Sequence, residues 1–214
     1  MKSPALVIVG SGGHAKVILE IFERLGTFDV IGFTSPSIDD HLFHYPHLGS
    51  DSILPALFTD GARHAFPAVG DNRIRHRLVA ELKALGYLLP NAISPHAVLS
   101  PRIGLGSGIA IMAGAVINAD SRIGDGAVIN TAATVDHDCH IGASVHIAPG
   151  VHLAGNVSVG EGSFLGIGCS VVPGISIGSW VTVGAGAAVI RDIPDHSTVV
   201  GVPSSRQLNS GKSA

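Results

Sequence analysis

The 214-residue sequence predicts two successive structures: a small α/β domain with a parallel (Rossmann-like) sheet, then an all-β parallel β-helix of hexapeptide repeats. Two observations lead to this prediction. An aliphatic residue recurs every six positions from Ile93 to Val189, and a short apolar run, Ala5–Val9, leads through glycines into an amphipathic stretch. A period of six is neither the 3.6 of a helix nor the 2 of a simple strand, and it is the signature of a β-helix.

The β-helix prediction rests on this unbroken frame. The residue four positions after each frame residue is small or aliphatic, which suits a tightly packed interior. At about 18 residues per coil, three short strands form each turn of a triangular prism. The frame residues are Ile93, Leu99, Leu105, Ile111, Ile117, Ile123, Ile129, Val135, Ile141, Ile147, Leu153, Val159, Leu165, Val171, Ile177, Val183 and Val189.

The residues before the frame predict a βαβ unit. Asn72–Leu85 is expected to be a helix with Ile74, Leu78, Leu82 and Leu85 on one face. The other predicted elements are strands at Asp29–Phe33 and Phe66–Val69, and helices at Ala15–Leu25 and near Ser52–Phe58. We therefore expect an N-terminal domain at 1–90, the β-helix at 91–195 and a C-terminal tail at 196–214.

Composition and charge exclude several classes of protein. The net charge is −3, so there is no basic surface of the kind that binds nucleic acid. No stretch approaches the roughly 18 apolar residues of a membrane span, and the opening MKSPALVIVG suits a first strand better than a signal peptide. Cys139 and Cys169 fall at inward positions, which indicates reduced core thiols and a cytoplasmic protein.

The densest polar cluster of the repeats surrounds His137, which follows the frame residue Val135 and is predicted to lie at an outward corner. An imidazole flanked by Asp136 and Asp138 suits a general base, because its ordinary pKa lies near neutrality and a carboxylate can orient the ring. The alternative is a solvated surface histidine without a catalytic role.

The other histidines of the repeats do not predict a metal site within one chain. His140, His146 and His152 are spaced six apart, so they point to different sides of the prism, whereas a metal needs convergent ligands. A zinc site shared between chains of an oligomer remains an alternative. We expect no metal.

The prism faces are partly apolar, and a homotrimer would bury them. His137 and His146 are half a coil apart, so they cannot easily meet within one chain, but His137 of one subunit could meet His146 of the next. Gly155 lies one coil beyond His137 at the same corner. A glycine leaves its backbone N–H approachable, as an oxyanion donor requires.

The turn Gly10–Gly13, with Lys16 in the following helix, has two interpretations. Backbone N–H groups at a helix N-terminus suit a phosphate or pyrophosphate. A purely structural tight turn explains the same glycines.

Five sequence motifs together indicate a protein family. The combination of GSGGHAK, AVGDNRIR, INTAATVDHDCHIG, SVHIAPGVHLAGNVSVGEG and VVGVPSSR resembles bacterial nucleotide-sugar acetyltransferases, which are trimers with a left-handed parallel β-helix. The resemblance extends from about Ala5 to Arg206. It implies an acetyl-CoA-dependent enzyme, without a metal, whose active sites lie between subunits.

The resemblance also implies roles for residues. His137 would act as the general base, Asp138 would orient its ring, and Asn130 would support the same site. His146 would contact the acetyl or thioester region of acetyl-CoA, and Gly155 would donate to the oxyanion.

The expected binding residues form two groups. The nucleotide sugar would lie against Gly10, Ser11, Gly12, Gly13, His14 and Lys16; acetyl-CoA would run past Gly166, Gly168 and Gly184, with its adenine near Pro203.

The implied reaction is N-acetylation of a nucleotide-linked 4-amino sugar. UDP-sugar members of the family typically carry acidic residues just after the second strand, but here no carboxylate occurs before Asp39 and Asp40. This departure disfavours UDP and leaves room for another base, and similarity to the family makes GDP-perosamine the expected substrate. The alternatives are a UDP-4-amino sugar, O-acetylation of a sugar of the sialic-acid type, and a non-catalytic β-helix binding protein.

Overall fold

The computed structural model describes residues 3–203 and 206–208. The chain divides into two compact units, with the boundary between Pro95 and His96. The predicted order, a parallel-sheet α/β domain followed by a parallel β-helix, is confirmed. None of the helices in the described part of the chain is both long and apolar enough to cross a membrane.

The first unit is built on a four-stranded parallel sheet in the order β3 (His47–Gly49), β2 (Asp29–Thr34), β1 (Ala5–Val9), β4 (His64–Pro67). The central strand β1 is buried along its apolar run, as a parallel strand covered on both faces should be. The elements are β1 (Ala5–Val9), α1 (Gly13–Leu25), β2 (Asp29–Thr34), β3 (His47–Gly49), a 3-10 helix (Asp51–Ile53), α2 (Leu54–Thr59), β4 (His64–Pro67), α3 (Asn72–Ala84) and β5 (Ala92–Ile93). The short strand β3 was not predicted.

The helix ends follow local chemistry. Helix α1 begins at Gly13, two residues before the predicted start, and ends at Leu25. Gly26 caps it in a left-handed conformation, and its N–H donates to the Phe22 carbonyl. Helix α3 begins after Asp71, whose carboxylate accepts the N–H groups of Arg73 and Ile74.

The predicted buried face of α3 was partly wrong. Ile74 is 43% exposed, whereas Arg75 is buried beside Leu78, Val79 and Leu82. The Arg75 guanidinium donates to the carbonyls of Val69 and Gly70 and to the Asn72 side chain, which satisfies a buried cation. Burial lowers the Arg75 pKa to about 10.

The second unit stacks short strands into three sheets. The strands are β6 (Val98–Leu99), β7 (Gly104–Leu105), β8 (Ala110–Ile111), β9 (Val116–Ile117), β10 (Arg122–Ile123), β11 (Val128–Ile129), β12 (Thr134–Val135), β13 (His140–Ile141), β14 (His146–Ile147), β15 (His152–Leu153), β16 (Ser158–Val159), β17 (Phe164–Leu165), β18 (Ser170–Val171), β19 (Ser176–Ile177), β20 (Thr182–Val183), β21 (Ala188–Val189), β22 (Thr198–Val200) and β23 (Arg206–Leu208).

Sheet 1 contains β7-β10-β13-β16-β19, sheet 2 contains β8-β11-β14-β17-β20-β22-β23, and sheet 3 contains β6-β9-β12-β15-β18-β21. From β6 to β21 the strands are two residues long, and the strands that pair with one another are parallel and 18 residues apart, as Arg122 and His140 illustrate.

The interior of the stack consists of the frame residues and the residues four positions after them. From Ile111 to Val189 every frame residue is buried, whereas Leu99 and Leu105 in the first coil are half-buried. Cys139 and Cys169 are fully buried, unpaired thiols, as predicted from their frame position. Burial raises the pKa of both, that of Cys169 to about 12.

The stack continues beyond the last frame residue. Ile193 forms a parallel bridge with Ile177, and β22 pairs in parallel with β20, so strand stacking extends into the segment that the sequence assigned to the tail. Strand β23 then pairs antiparallel with β22. Of the predicted tail, Ser204, Ser205 and residues 209–214 lie outside the described residues.

Candidate functional site

His137 lies at the corner between β12 in sheet 3 and β13 in sheet 1. Its ring Nδ1 is 2.8 Å from Oδ2 of Asp138, which adopts a left-handed conformation with φ of 60°. Both side chains are more than half exposed. The corner therefore presents a carboxylate–imidazole pair on the outside of the β-helix.

The electrostatics of this corner support a proton acceptor. The hydrogen bond to Asp138, and next the charge of Asp136, raise the pKa of His137 above its ordinary value. The pKa of Asp136 is lowered, first by a hydrogen bond from Asn118 and then by the His137 N–H. The Asp138 carboxylate accepts a hydrogen bond from Nδ1–H of His137. The neutral ring is therefore protonated at Nδ1 and has its free lone pair on Nε2, as a base requires.

Gly155 packs against the imidazole of His137. It lies one coil after His137, and the Asn156 N–H next to it donates to the His137 carbonyl. A Cβ at Gly155 would lie 2.6 Å from both Cε1 and Nε2 of His137, so any other residue there would displace the ring. Gly155 is buried in this arrangement. Its predicted role as an oxyanion donor stays a prediction.

His146 belongs to a different cluster. It lies in β14 of sheet 2, where its Nε2 is 3.1 Å from Nδ2 of Asn130 and its ring packs edge-to-face on Phe164. The Asn130 Oδ1 accepts the Thr131 N–H, which turns the amide nitrogen toward His146. Because an amide nitrogen only donates, Nε2 of His146 is the acceptor.

These contacts separate the residues that sequence analysis assigned to one catalytic centre. Asn130 contacts His146, whereas His137 contacts Asp138 and Gly155. The sheet 3–sheet 1 corner lies opposite sheet 2 in a three-sheeted prism, so the two imidazoles occupy different sides of one chain.

The glycines predicted to line the acetyl-CoA path each have a packing or turn requirement. Gly166 and Gly184 follow the next two strands of sheet 2 after the one that contains His146. A Cβ on Gly166 would lie 2.7 Å from the Ala185 nitrogen, and a Cβ on Gly184 would lie 2.7 Å from Val200 Cγ1. Gly168 has a positive φ of 67° at the next corner. Pro203 is exposed in the turn after β22. Acetyl-CoA binding by these residues stays a prediction.

The glycine turn of the first unit lies at the C-terminal ends of β1 and β4. Gly10 has a φ of 121°, and a Cβ there would lie 2.8 Å from the Ala68 carbonyl oxygen, so only glycine fits. A Cβ at Gly12 or Gly13 would have open space around it; Gly12 is the N-cap of α1 and Gly13 is its first residue. His14 lies beside Gly70, and Lys16 is exposed on the first turn of α1.

Asp40 contacts the glycine turn through a hydrogen bond. Its Oδ2 accepts the Ser11 hydroxyl at 2.9 Å, and hydrogen bonds from Ser35 and then Ser11 lower its pKa. The loop after β2 thus folds back and places a carboxylate next to the glycine turn. A carboxylate therefore lies beside the glycine turn although no acidic residue follows β2 directly in the sequence, and the choice between GDP and UDP stays a prediction.

Within residues 3–203 and 206–208, no group of three or more His, Cys, Asp or Glu side chains is arranged to hold a metal ion.

Comparisons with known proteins place the chain in a family. The PglD N-terminal domain family matches residues 5–82. PerB of Caulobacter crescentus, solved in complex with CoA and GDP-perosamine, is 48% identical over 94% of this chain and 96% of that chain, with a TM-score of 0.90. The acetyltransferase domain of PglB from Neisseria gonorrhoeae, solved with acetyl coenzyme A, is 41% identical over 95% of this chain and 98% of that chain, with a TM-score of 0.90.

A third structure, WeeI of Acinetobacter baumannii, has the same fold at 24% identity, covers 96% of this chain and 100% of that chain, and has a TM-score of 0.85. A comparison with curated protein sequences gives no match. Fold and similarity together define an acetyltransferase. The chain belongs to the sugar N-acetyltransferase family that includes perosamine N-acetyltransferase and the PglB acetyltransferase domain.

If His137 is the general base that the resemblance implies, replacing Gly155 by alanine should impair catalysis, because the new methyl group would occupy the position of the His137 ring. We then expect kcat to fall about tenfold to a hundredfold, since a 1 Å displacement of a catalytic group can have that effect. Gly174→Ala is the control: it strains a left-handed residue at the next coil's corner, where a Cβ contacts nothing within 4 Å. A Gly155→Ala enzyme with unchanged kcat would show that catalysis does not depend on the packing of the His137 ring against Gly155.

Proposed function

We propose that the protein transfers the acetyl group of acetyl-CoA to the amino group of a nucleotide-linked 4-amino sugar, and that GDP-perosamine is its substrate. The observation that supports this most strongly is the similarity to PerB, whose structure holds both CoA and GDP-perosamine, at 48% identity over nearly the whole chain. The glycine turn of the first unit is the proposed nucleotide site, with Asp40 and Lys16 beside it.

His137 is the proposed general base. The sugar amine attacks the thioester carbonyl, a C–N bond forms, and the carbonyl oxygen becomes an oxyanion. Nε2 of His137 takes the proton from nitrogen, and collapse of the oxyanion breaks the C–S bond and releases CoA, whose sulfur takes the proton from the imidazolium. A positioned base contributes about 10²–10⁴-fold. The Asp138 contact supports this role because it holds the ring and stabilises the protonated form.

Direct transfer is favoured over an acyl-cysteine intermediate. Cys139 and Cys169 are fully buried, and burial raises the pKa of each, so neither supplies an accessible thiolate. We propose that the Gly155 N–H and His146 contribute to the binding of the acetyl oxygen. Unpaired buried thiols also suit a reducing compartment, which is why we propose a cytoplasmic location.

The proposed assembly is a homotrimer with active sites between subunits. His137 and His146 lie on different sides of one β-helix, so a site that contains both needs two chains. Large apolar side chains are also exposed on the β-helix, namely those of Val98, Ile167, Val172 and Ile190. Association would remove them from water.

A UDP-linked 4-amino sugar is the second candidate substrate. It is favoured by Asp40, whose carboxylate lies beside the glycine turn at the end of β1, where an acidic group can accept hydrogen bonds from a ribose or base.

The substrate is tested by release of CoA thiol from acetyl-CoA with a panel of GDP- and UDP-linked 4-amino sugars. We expect the highest kcat/KM with GDP-perosamine, and acetylation at nitrogen by mass spectrometry and NMR of the product. The matched GDP sugar with a hydroxyl in place of the amine is the control and should give no product.

Faster turnover with a UDP-linked amino sugar would replace GDP-perosamine by the second candidate. Turnover of the hydroxyl control would indicate O-acetylation. Binding of acetyl-CoA without thiol release from any member of the panel would favour a non-catalytic protein.

The base is tested by the pH dependence of kcat/KM. Because its pKa is raised, His137 is neutral and able to accept a proton only above that raised value, so the rate should fall as the pH drops through it. Asp138→Asn replaces the carboxylate whose hydrogen bond to Nδ1 is the main cause of the raised pKa, and it should move this acidic limb to lower pH. His137→Ala should remove the limb and lower kcat about 10²–10⁴-fold. A His137→Ala enzyme with an unchanged profile would exclude His137 as the base.

A further inference from the structure

Ser121 lies inside the β-helix beneath the corner that carries His137. It is fully buried, its hydroxyl donates to the Asp136 carbonyl at 2.6 Å, and the same oxygen accepts the Cys139 N–H at 3.0 Å. One buried hydroxyl therefore joins the residue before His137 to the second residue after it.

Other groups of the same coil contact this corner. The Asn118 amide donates to Asp136 Oδ1 at 2.8 Å, and that oxygen also accepts the His137 N–H. The Asp138 N–H donates to the Ala119 carbonyl at 3.0 Å. Each residue from 136 to 139 is thus held, directly or through Asp136, by the coil that contains residues 118–121.

Coil stacking alone does not require this hydroxyl. At equivalent inward positions the chain uses fully buried alanines, among them Ala115, Ala127 and Ala133. A buried hydroxyl is favourable only where it finds partners, so serine at this position indicates a local requirement at the corner above it.

The chain contains a second bridge of the same geometry. The buried Ser163 donates to the Gly178 carbonyl at 2.7 Å and accepts the Val181 N–H at 2.9 Å, which spans the corner of Trp180. Ser163 therefore provides a matched comparison: the same side chain makes the same two bonds beneath a corner without His137.

We propose that Ser121, assisted by Asn118, is a positioning residue for acetyl transfer: it fixes the Asp136–Cys139 corner so that the His137 imidazole rests on Gly155 with Nδ1 on Asp138. This inference rests on the proposed role of His137 as the base. Ser121 itself touches no reacting group.

Ser121→Ala and Ser163→Ala are the two variants to compare. Both lose two buried hydrogen bonds, so both should unfold at a lower temperature than the wild type. Only Ser121→Ala should lose catalytic rate, with kcat about tenfold to a hundredfold lower, as expected for a base displaced by about 1 Å. The KM for acetyl-CoA should stay near the wild-type value in both.

Ser121→Cys covers the case in which Ser121→Ala folds poorly. Cys139 shows that a thiol fits an inward position and can bond a carbonyl of the next coil, since its Sγ lies 3.3 Å from the Ala154 oxygen. Because a thiol is a weaker donor, kcat of Ser121→Cys should lie between those of Ser121→Ala and the wild type.

The pKa of His137, measured by NMR of its Cε1–H signal, gives a readout that does not depend on turnover. Its charged neighbours on the corner are Asp136 and Asp138; the adjoining coils contribute the uncharged Ala119 and Gly155. Loss of the Asp138 contact should lower the pKa in Ser121→Ala, whereas Ser163→Ala should leave it unchanged. The signal is assigned by its absence in His137→Ala.

A double-mutant cycle separates the two proposals. If Ser121 acts through His137, adding Ser121→Ala to His137→Ala should lower kcat no further. An equal loss in both backgrounds, or an unchanged His137 pKa in Ser121→Ala, would overturn the positioning role while leaving the base intact. A His137→Ala enzyme with full kcat would overturn the proposed function itself and the inference with it.

Discussion

The whole β-helix depends on the register between coils, in which each inward aliphatic residue stacks on its equivalent 18 residues away. The strands are only two or three residues long, so none is stable alone, and their stability comes from this apolar column and from the hydrogen bonds to neighbouring coils. The frame has no interruption from Ile93 to Val189, which leaves no inserted loop in that range. Functional groups can then stand only on the sheet faces and at the corners.

The candidate site shows how a corner becomes specialised within that register. The outer residue of one coil, His137, packs on a glycine at the same corner of the next coil, and a serine inside the preceding coil bridges Asp136 and Cys139 on either side of it. Three successive coils thus contribute to one imidazole. The His146 cluster is built similarly along sheet 2, with Asn130 on one side and Phe164 on the other. These groups lie on separate sides of a chain, which is why we infer a site shared between subunits.

Periodic features could be predicted from sequence, because the frame determines whether each residue points inward or outward and in which coil it lies. The burial of Cys139 and Cys169 and the stacking of Gly155 on His137 follow from spacing alone. Features that depend on side-chain choice or loop path could not. The Asn130 amide faces His146 because the Thr131 N–H holds its oxygen, and Asp40 reaches Ser11 because its loop folds back. Ile74 is exposed because a satisfied Arg75 occupies the buried position. The sequence signal for the position of Asp40 was the presence of two hydroxyl residues, Ser11 and Ser35, that can donate hydrogen bonds to its carboxylate.

The central claim, that one site uses His137 of one chain and His146 of another, is tested most directly by subunit mixing. His137→Ala and His146→Ala chains are co-expressed with different tags, and the specific activity of the mixture is compared with each variant alone. In a cyclic trimer every mixed assembly regains one intact site, so a random one-to-one mixture should recover about a quarter of the wild-type activity. A mixture of trimers shown to contain both chains, yet no more active than its separate components, would contradict the shared site.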